Sequence, residues 1–185
     1  MTGSERTDAA RNRAAILAAA DALFDRGTET VSMNDIAEAA GVGKGTVFRR
    51  FGDRTALIHA LLQPRSAALR ERIEHGPPPL GPGGPPAEAL RAYLNALLEF
   101  VWANRALIRA FEQCGLDTYY TSPYSQYWID ELRRRLTATA PGTSLDYLAH
   151  ILFTALRADF VNYLSSARAM PLDDIREGLY RLADV

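Results

Sequence analysis

Apolar residues recur three and four positions apart through most of the chain, the period of a helix with one buried face, and no stretch alternates as a strand does. From Asp8 to Arg26 the set is Ile16, Leu17, Ala20, Leu23 and Phe24, with Gly27 as the stop. Met33, Ile36, Ala37 and Ala40 mark a second, shorter helix, opened by Ser32 with Asp35 in a capping-box relation and broken at Gly41. A third helix runs from about Lys44 to Phe51, with Val47 and Phe51 facing inward. Asp53 is placed to cap a fourth, from Arg54 to about His75, along Leu57, Ile58, Leu61, Leu62, Leu69 and Ile73. Pro64 lies inside that helix and removes a backbone hydrogen bond, which predicts a kink or an early break near Gln63.

Residues 76–86, GPPPLGPGGPP, hold no regular element and read as an irregular connector between two parts of the chain. Helical spacing resumes at about 87–104, 105–114, 123–139, 145–166 and 172–183, with Pro123, Pro141-Gly142 and Pro171 at the breaks. The helix 145–166 carries two stripes, Leu145, Leu148, Leu152, Leu156, Phe160, Tyr163 and Tyr147, Ile151, Thr154, Ala158, Val161. A surface helix needs one apolar face. Two faces predict burial on both sides, against the chain's own bundle and against a second copy, with 123–139 completing a four-helix contact about a two-fold axis. The fold class is therefore all-α. Residues 1–53 form a three-helix unit and residues 54–185 a larger helical bundle.

The run Gly41-Val42-Gly43-Lys44-Gly45-Thr46 raises a different chemistry, since a phosphate-cradling loop also combines glycines with a lysine and a hydroxyl. That pattern needs a glycine at position 38, where the chain has Glu38, and it follows a strand, where the chain has a helical pattern. A nucleotide-dependent enzyme is thus the weaker alternative. The stronger reading is a helix-turn-helix, in which Ala37, Gly41, Val42 and Val47 lock two short helices and the second presents its outer face to a DNA groove.

Composition adds limits. With 48% hydrophobic residues, the 185-residue chain has ample material for a core, and its net charge of −1 does not mark it as a nucleic-acid binder as a whole. Local charge does, because Lys44, Arg49, Arg50 and Arg54 face Asp53 alone between positions 44 and 54. No apolar run approaches the ~20 residues of a membrane helix and the first residues are polar, so a cytoplasmic location with no membrane partner is expected. The single cysteine, Cys114, and the scattered His59, His75 and His150 give no metal-ligand spacing; no metal, cofactor or catalytic residue is expected.

From Ile16 to Leu62, and most closely from Val31 to Arg54, the chain resembles the N-terminal domain of the tetracycline-repressor (TetR) family of bacterial transcription regulators. The resemblance implies about nine helices and a homodimer that binds a palindromic operator in double-stranded DNA. It implies release when a small-molecule effector enters the C-terminal domain. It also implies phosphate contacts from Ser32 and Arg54, and a share of base and phosphate contacts among Lys44, Gly45, Thr46, Phe48, Arg49 and Arg50. Two positions depart from the pattern. Gly43 stands where a serine commonly caps the recognition helix, and Phe48 where a tyrosine commonly supplies a hydroxyl, which keeps open a helical ligand-binding protein without DNA function.

Aromatic residues concentrate in the second half. Trp102, Phe111, Tyr124, Tyr127, Trp128 and Phe153, with Arg109, Gln113 and Arg157 as polar anchors, are the candidates to line an effector pocket. Any one of these rings also serves as ordinary core.

Overall fold

A computed structural model of the protein describes residues 3–26, 30–139, 142 and 144–184, with the side chains of residues 3–7, 116 and 118 left aside. The described residues are helical with no strand. They fall into two compact units, residues 1–65 and 66–185.

The first unit holds α1 (Gly3–Asp25), α2 (Met33–Ala39), α3 (Lys44–Phe51) and the start of α4 (Arg54–His75). Its core is the inward face of each helix, with Ile16, Ala20, Ile36, Val47, Leu57 and Ile58 at 0% exposure. Polar groups reinforce the edges: Arg13 lies over the Phe51 ring, and Arg65 pairs with Asp21 at 2.5 Å. Gly27, the expected stop of the first helix, lies outside the described residues, as does Pro141. Helix α4 runs unbroken past Pro64, so the early break expected near Gln63 does not occur. The division between the two units falls one residue beyond that proline.

The second unit contains the rest of α4 and α5 (Pro86–Ala103), α6 (Arg105–Glu112), α7 (Leu116–Thr121), α8 (Pro123–Thr139), α9 (Leu145–Ala155), α10 (Ala158–Asn162) and α11 (Leu172–Leu182). One π turn, residues 163–167, follows α10. Leu90, Leu94, Leu107, Leu132, Leu152 and Val161 are among its fully enclosed side chains. The proline-rich connector lies within this unit and is anchored by one side chain. Arg135, 5% exposed, donates Nη1 to the Ala89 carbonyl (2.8 Å), Nη2 to the Leu80 carbonyl (2.7 Å) and Nε to Glu131 (2.8 Å). Its guanidinium also covers the Tyr93 ring. A planar fork of donors suits this task because it ties the Leu80 carbonyl, which lies outside any helix, to the first turn of α5 at Ala89.

The helix expected over 145–166 is interrupted. Leu-Arg-Ala at 156–158 contains no glycine or proline, yet Arg157 adopts an extended backbone (φ −56°, ψ 136°) and α10 starts afresh at Ala158. The partner of the new helix start is distant in sequence: the buried Glu112 carboxylate of α6 accepts the Ala158 N–H at 2.7 Å and the Asp159 N–H at 2.9 Å. These are orphan donors of a helix start, and a carboxylate is a strong acceptor for them. The eleven α-helices among the described residues are the nine segments read from the spacing, plus α7 and the separate element after this break.

Candidate nucleic-acid interface

Helix α2 begins with a complete capping box. The Asp35 N–H donates to Ser32 Oγ at 3.2 Å and the Ser32 N–H donates to Asp35 Oδ2 at 2.8 Å. Those bonds with Ser32 hold the Asp35 carboxyl below its ordinary range, so the cap is charged at neutral pH. At the other end Gly41 takes φ 65°, a left-handed conformation that side chains rarely adopt, and the Val42 N–H returns to the Ala37 carbonyl at 3.0 Å. The chain thus reverses in four residues and α3 starts at Lys44.

Gly43 is the N-cap of α3 and supplies no side-chain bond there. What fixes α3 is apolar: Val47 at 0% and Phe51 at 8% exposure pack into the first unit's core. The opposite face is free for a ligand, since Lys44, Gly45, Phe48, Arg49 and Arg50 are exposed and Thr46 is half-buried. Two contacts organise this face. Arg49 Nη2 donates to Thr46 Oγ1 at 3.2 Å, and the Lys44 ammonium stands 5.8 Å from the centre of the Phe48 ring. Phe48 is 41% exposed, an apolar surface among cations.

Ser32 and Arg54 are brought together through the backbone. Arg54 opens α4, is half-buried and donates Nε to the carbonyl of Val31, the residue before Ser32. Asp53 Oδ1 accepts the Ala56 N–H at 2.8 Å, the expected cap of α4. Two helix starts, each with positive dipole character, therefore flank the exposed face of α3 in the chain. The Arg54 tether to Val31 carried no signal in the sequence, because it joins residues 23 apart through a main-chain oxygen.

Among the described residues, the candidate effector residues fall into separate clusters. Phe111 and Phe153 are buried with Tyr119, whose ring stands 5.8 Å from Phe111 and 5.4 Å from Phe153. Trp128 is buried between Phe100 and Tyr127. Tyr127 donates its hydroxyl to Glu74 at 2.8 Å beneath the Arg70 guanidinium, and Tyr124 is half-buried. Trp102 is stacked by Arg105, Gln113 is exposed and Arg109 is half-buried. A groove of about 630 Å³ is lined by Ile151, Thr154, Ala155, Arg157, Asp159, Phe160 and Tyr163, and of the candidates only Arg157 reaches it. A second cavity of about 440 Å³ lies beside the connector, among Glu74, Pro82, Glu131 and Arg134. No helix among the described residues is long and apolar enough to cross a membrane.

The family of bacterial regulatory proteins named for tetR matches residues 16–61, which span the capping box, the turn and α3. An HTH-type transcriptional regulator of Staphylococcus aureus (strain USA300) is 35% identical over 180 residues, covering 86% of this chain and 93% of that protein. Another, from strain MRSA252, is 34% identical over 108 residues, 58% of this chain and 57% of its own length. A putative TetR-family transcriptional regulator from Rhodococcus sp. shares the fold, with a TM-score of 0.65 at 24% identity over 94% of this chain and 97% of that one. So does NalD of Pseudomonas aeruginosa, described as the secondary repressor of the MexAB-OprM multidrug efflux pump, with a TM-score of 0.61 at 22% identity over 96% of both chains. The glycine run is accordingly the turn and opening of a recognition helix, and the chain belongs to the tetR family of bacterial transcriptional regulators.

Proposed function

We propose that the protein is a cytoplasmic, ligand-responsive repressor that binds a palindromic operator as a homodimer and releases it when a small molecule occupies the second unit. The observation that carries the reading is α3, seated by Val47 and Phe51 and presenting Lys44, Gly45, Thr46, Phe48, Arg49 and Arg50 on its outer side. A helix of this kind reads base edges in the major groove while neighbouring cations and helix starts, here Ser32 and Arg54, hold phosphates.

Dimerisation supplies the geometry, because two recognition helices must reach successive major grooves ~34 Å apart. The surface for it is the face of α8, α9 and α10. Tyr147, Phe160 and Tyr163 are 69%, 45% and 52% exposed there, and a second copy removes that apolar area from water. Effector binding is supported by the aromatic wealth of the second unit, where Trp102, Phe111, Tyr124, Tyr127, Trp128 and Phe153 provide apolar surface and Arg109, Gln113 and Arg157 polar anchors. A ligand regulates DNA binding only through different affinities for the two dimer geometries.

Selection of bound fragments from a random DNA pool tests the reading. A recovered palindrome with half-sites one helical turn apart, bound by a dimer in light scattering, is the expected result. Recovery of no sequence, with binding that is weak and uniform at physiological salt, overturns it.

A further inference from the structure

The break between α9 and α10 is imposed on a segment whose own residues favour helix. Leucine, arginine and alanine at 156–158 rank among the strongest helix formers. Leu145, Leu148, Leu152, Leu156, Phe160 and Tyr163 lie on one line of a continuous helix. In the broken form Leu152 and Leu156 are buried, while Phe160 and Tyr163 leave that line and become exposed; Ala158 and Val161 turn inward in their place, both at 0% exposure. The apolar groove along Ile151, Ala155, Phe160 and Tyr163 straddles the break, with residues from α9 on one side and from α10 and the π turn on the other.

One carboxylate holds it. The Glu112 side chain is 2% exposed and takes both N–H groups that a continuous helix directs to the carbonyls of Thr154 and Ala155. A neutral carboxyl or carboxamide at the same place keeps one acceptor oxygen and turns a donor toward the second N–H, so one bond is lost. The surroundings do not lock the charged form. Arg157 Nη2 is 3.8 Å from Glu112 but 2.6 Å from Asp159, to which the guanidinium is committed, and Arg157 Nη1 is buried with no hydrogen-bond partner among the described residues.

We propose that α9 and α10 are two halves of one helix held apart by Glu112, and that neutralising this carboxylate lets residues 156–158 wind through, withdrawing Phe160 and Tyr163 from the exposed face. The effect on assembly rests on the dimer reading above; the winding itself does not. The groups facing Glu112 are Arg157 from the break, Asp159 from α10 and Tyr119 from α7, with Arg109 on α6 itself acting on Asp159. The π turn on the far side of α10 brings the exposed Tyr163 phenol. The buried residues of α5, which also packs on α10, are apolar apart from the Tyr93 hydroxyl, and that bonds the Trp128 carbonyl. Burial, outweighing the two backbone bonds and Arg157, pushes the Glu112 carboxyl up to about 7, so this group gains its proton near neutrality while the helix is still broken. The switch would act as a proton-sensitive control on the dimer face.

The test is a distance. Spin labels at positions 147 and 163 of the full chain, with Cys114 replaced by alanine and the labelled chain diluted into excess unlabelled protein, report the angle between α9 and α10. In the wild-type background the separation lengthens toward the ~24 Å that sixteen successive rises of a straight helix span between about pH 8.5 and pH 5.5. Glu112→Gln shows the longer distance at both. In parallel the wild-type dimer dissociation constant rises roughly tenfold or more over the same range, whereas that of Glu112→Gln is already high and flat. An unchanged wild-type distance across that pH range overturns the switch even if the variant fails to fold. A changing distance in a chain that stays monomeric at every pH supports the switch and overturns the dimer reading.

Discussion

Replacing Arg49 by alanine separates the recognition surface from the fold that carries it. Arg49 is exposed on α3, and its described bond is the 3.2 Å contact with the Thr46 hydroxyl, on the side opposite Val47 and Phe51. Losing an exposed contact of this kind changes folding stability by no more than about 0.5 kcal/mol, and alanine is the better helix former. The DNA cost is larger because the dimer loses the side chain twice. If each copy neutralises one phosphate, the slope of log K against log[salt] falls by about 1.8, and at ~0.1 M salt affinity drops by roughly sixty-fold, about 2.4 kcal/mol. If Arg49 reads a base edge, the slope holds, and roughly 1–3 kcal/mol of discrimination per half-site disappears at that base pair. Fluorescence anisotropy with the selected operator and a base-substituted copy, over a range of potassium chloride, distinguishes the two. A folded variant with unchanged affinity, slope and selectivity refutes the placement of Arg49 on the DNA face.

Three further outcomes are expected. Gly43→Ser supplies the missing cap of α3 into open space, at φ −68°; a gain of a few tenths to ~1 kcal/mol in denaturant unfolding is expected, and a loss would mean that the cap geometry is misread. Arg135→Ala removes the donor shared by the Leu80 and Ala89 carbonyls and Glu131, and since Glu131 keeps its bonds from Arg134 the main loss is the unpaired Leu80 carbonyl, about 1–3 kcal/mol and a fall of several °C in Tm; a shift within error in thermal melting would remove the anchor from the account. Glu112, raised from an ordinary 4.5 to about 7, binds its proton more tightly folded than unfolded. Its stabilising contribution is therefore full below about pH 4.5 and lost as pH rises through about 7, roughly 3 kcal/mol in all. The stability of wild type relative to Glu112→Gln should decline across that window, and a constant difference would contradict it.

The first unit was legible because its signals are local. Ser32 and Asp35 bond three residues apart, Gly41 supplies the positive φ of the turn, and Val47 and Phe51 mark the buried side of α3 by spacing alone. The second half obeyed distant partners. Nothing within residues 145–166 announces the break at Arg157, where the new helix start bonds a carboxylate 46 residues before Ala158. Helix α7, Leu-Asp-Thr-Tyr-Tyr-Thr, is a single short stretch without apolar repeat, set by the turn at Gly115. At Pro64 the early break was the expectation that failed, because a helix packed on both sides of a proline can continue where an isolated one ends. An aromatic count names rings without saying that they meet, which is why Phe111 and Phe153 lie in one cluster, Trp128 in another and Trp102 against Arg105.

The Arg135 anchor sets unequal freedoms for sequence drift. Along the connector, Pro77, Pro78, Pro79 and Pro82 are exposed, and what the anchor takes from it is a main-chain oxygen at Leu80, which any residue provides. The outer connector can therefore change its side chains over many generations at little cost, provided the carbonyl returns to the same place. Position 135 has no such latitude: lysine is charged but cannot present a planar fork to two carbonyls and a carboxylate at once. A lineage that lost this arginine would need compensating changes near Glu131 and both carbonyls together, so a stretch with exposed side chains depends on one buried side chain of another helix.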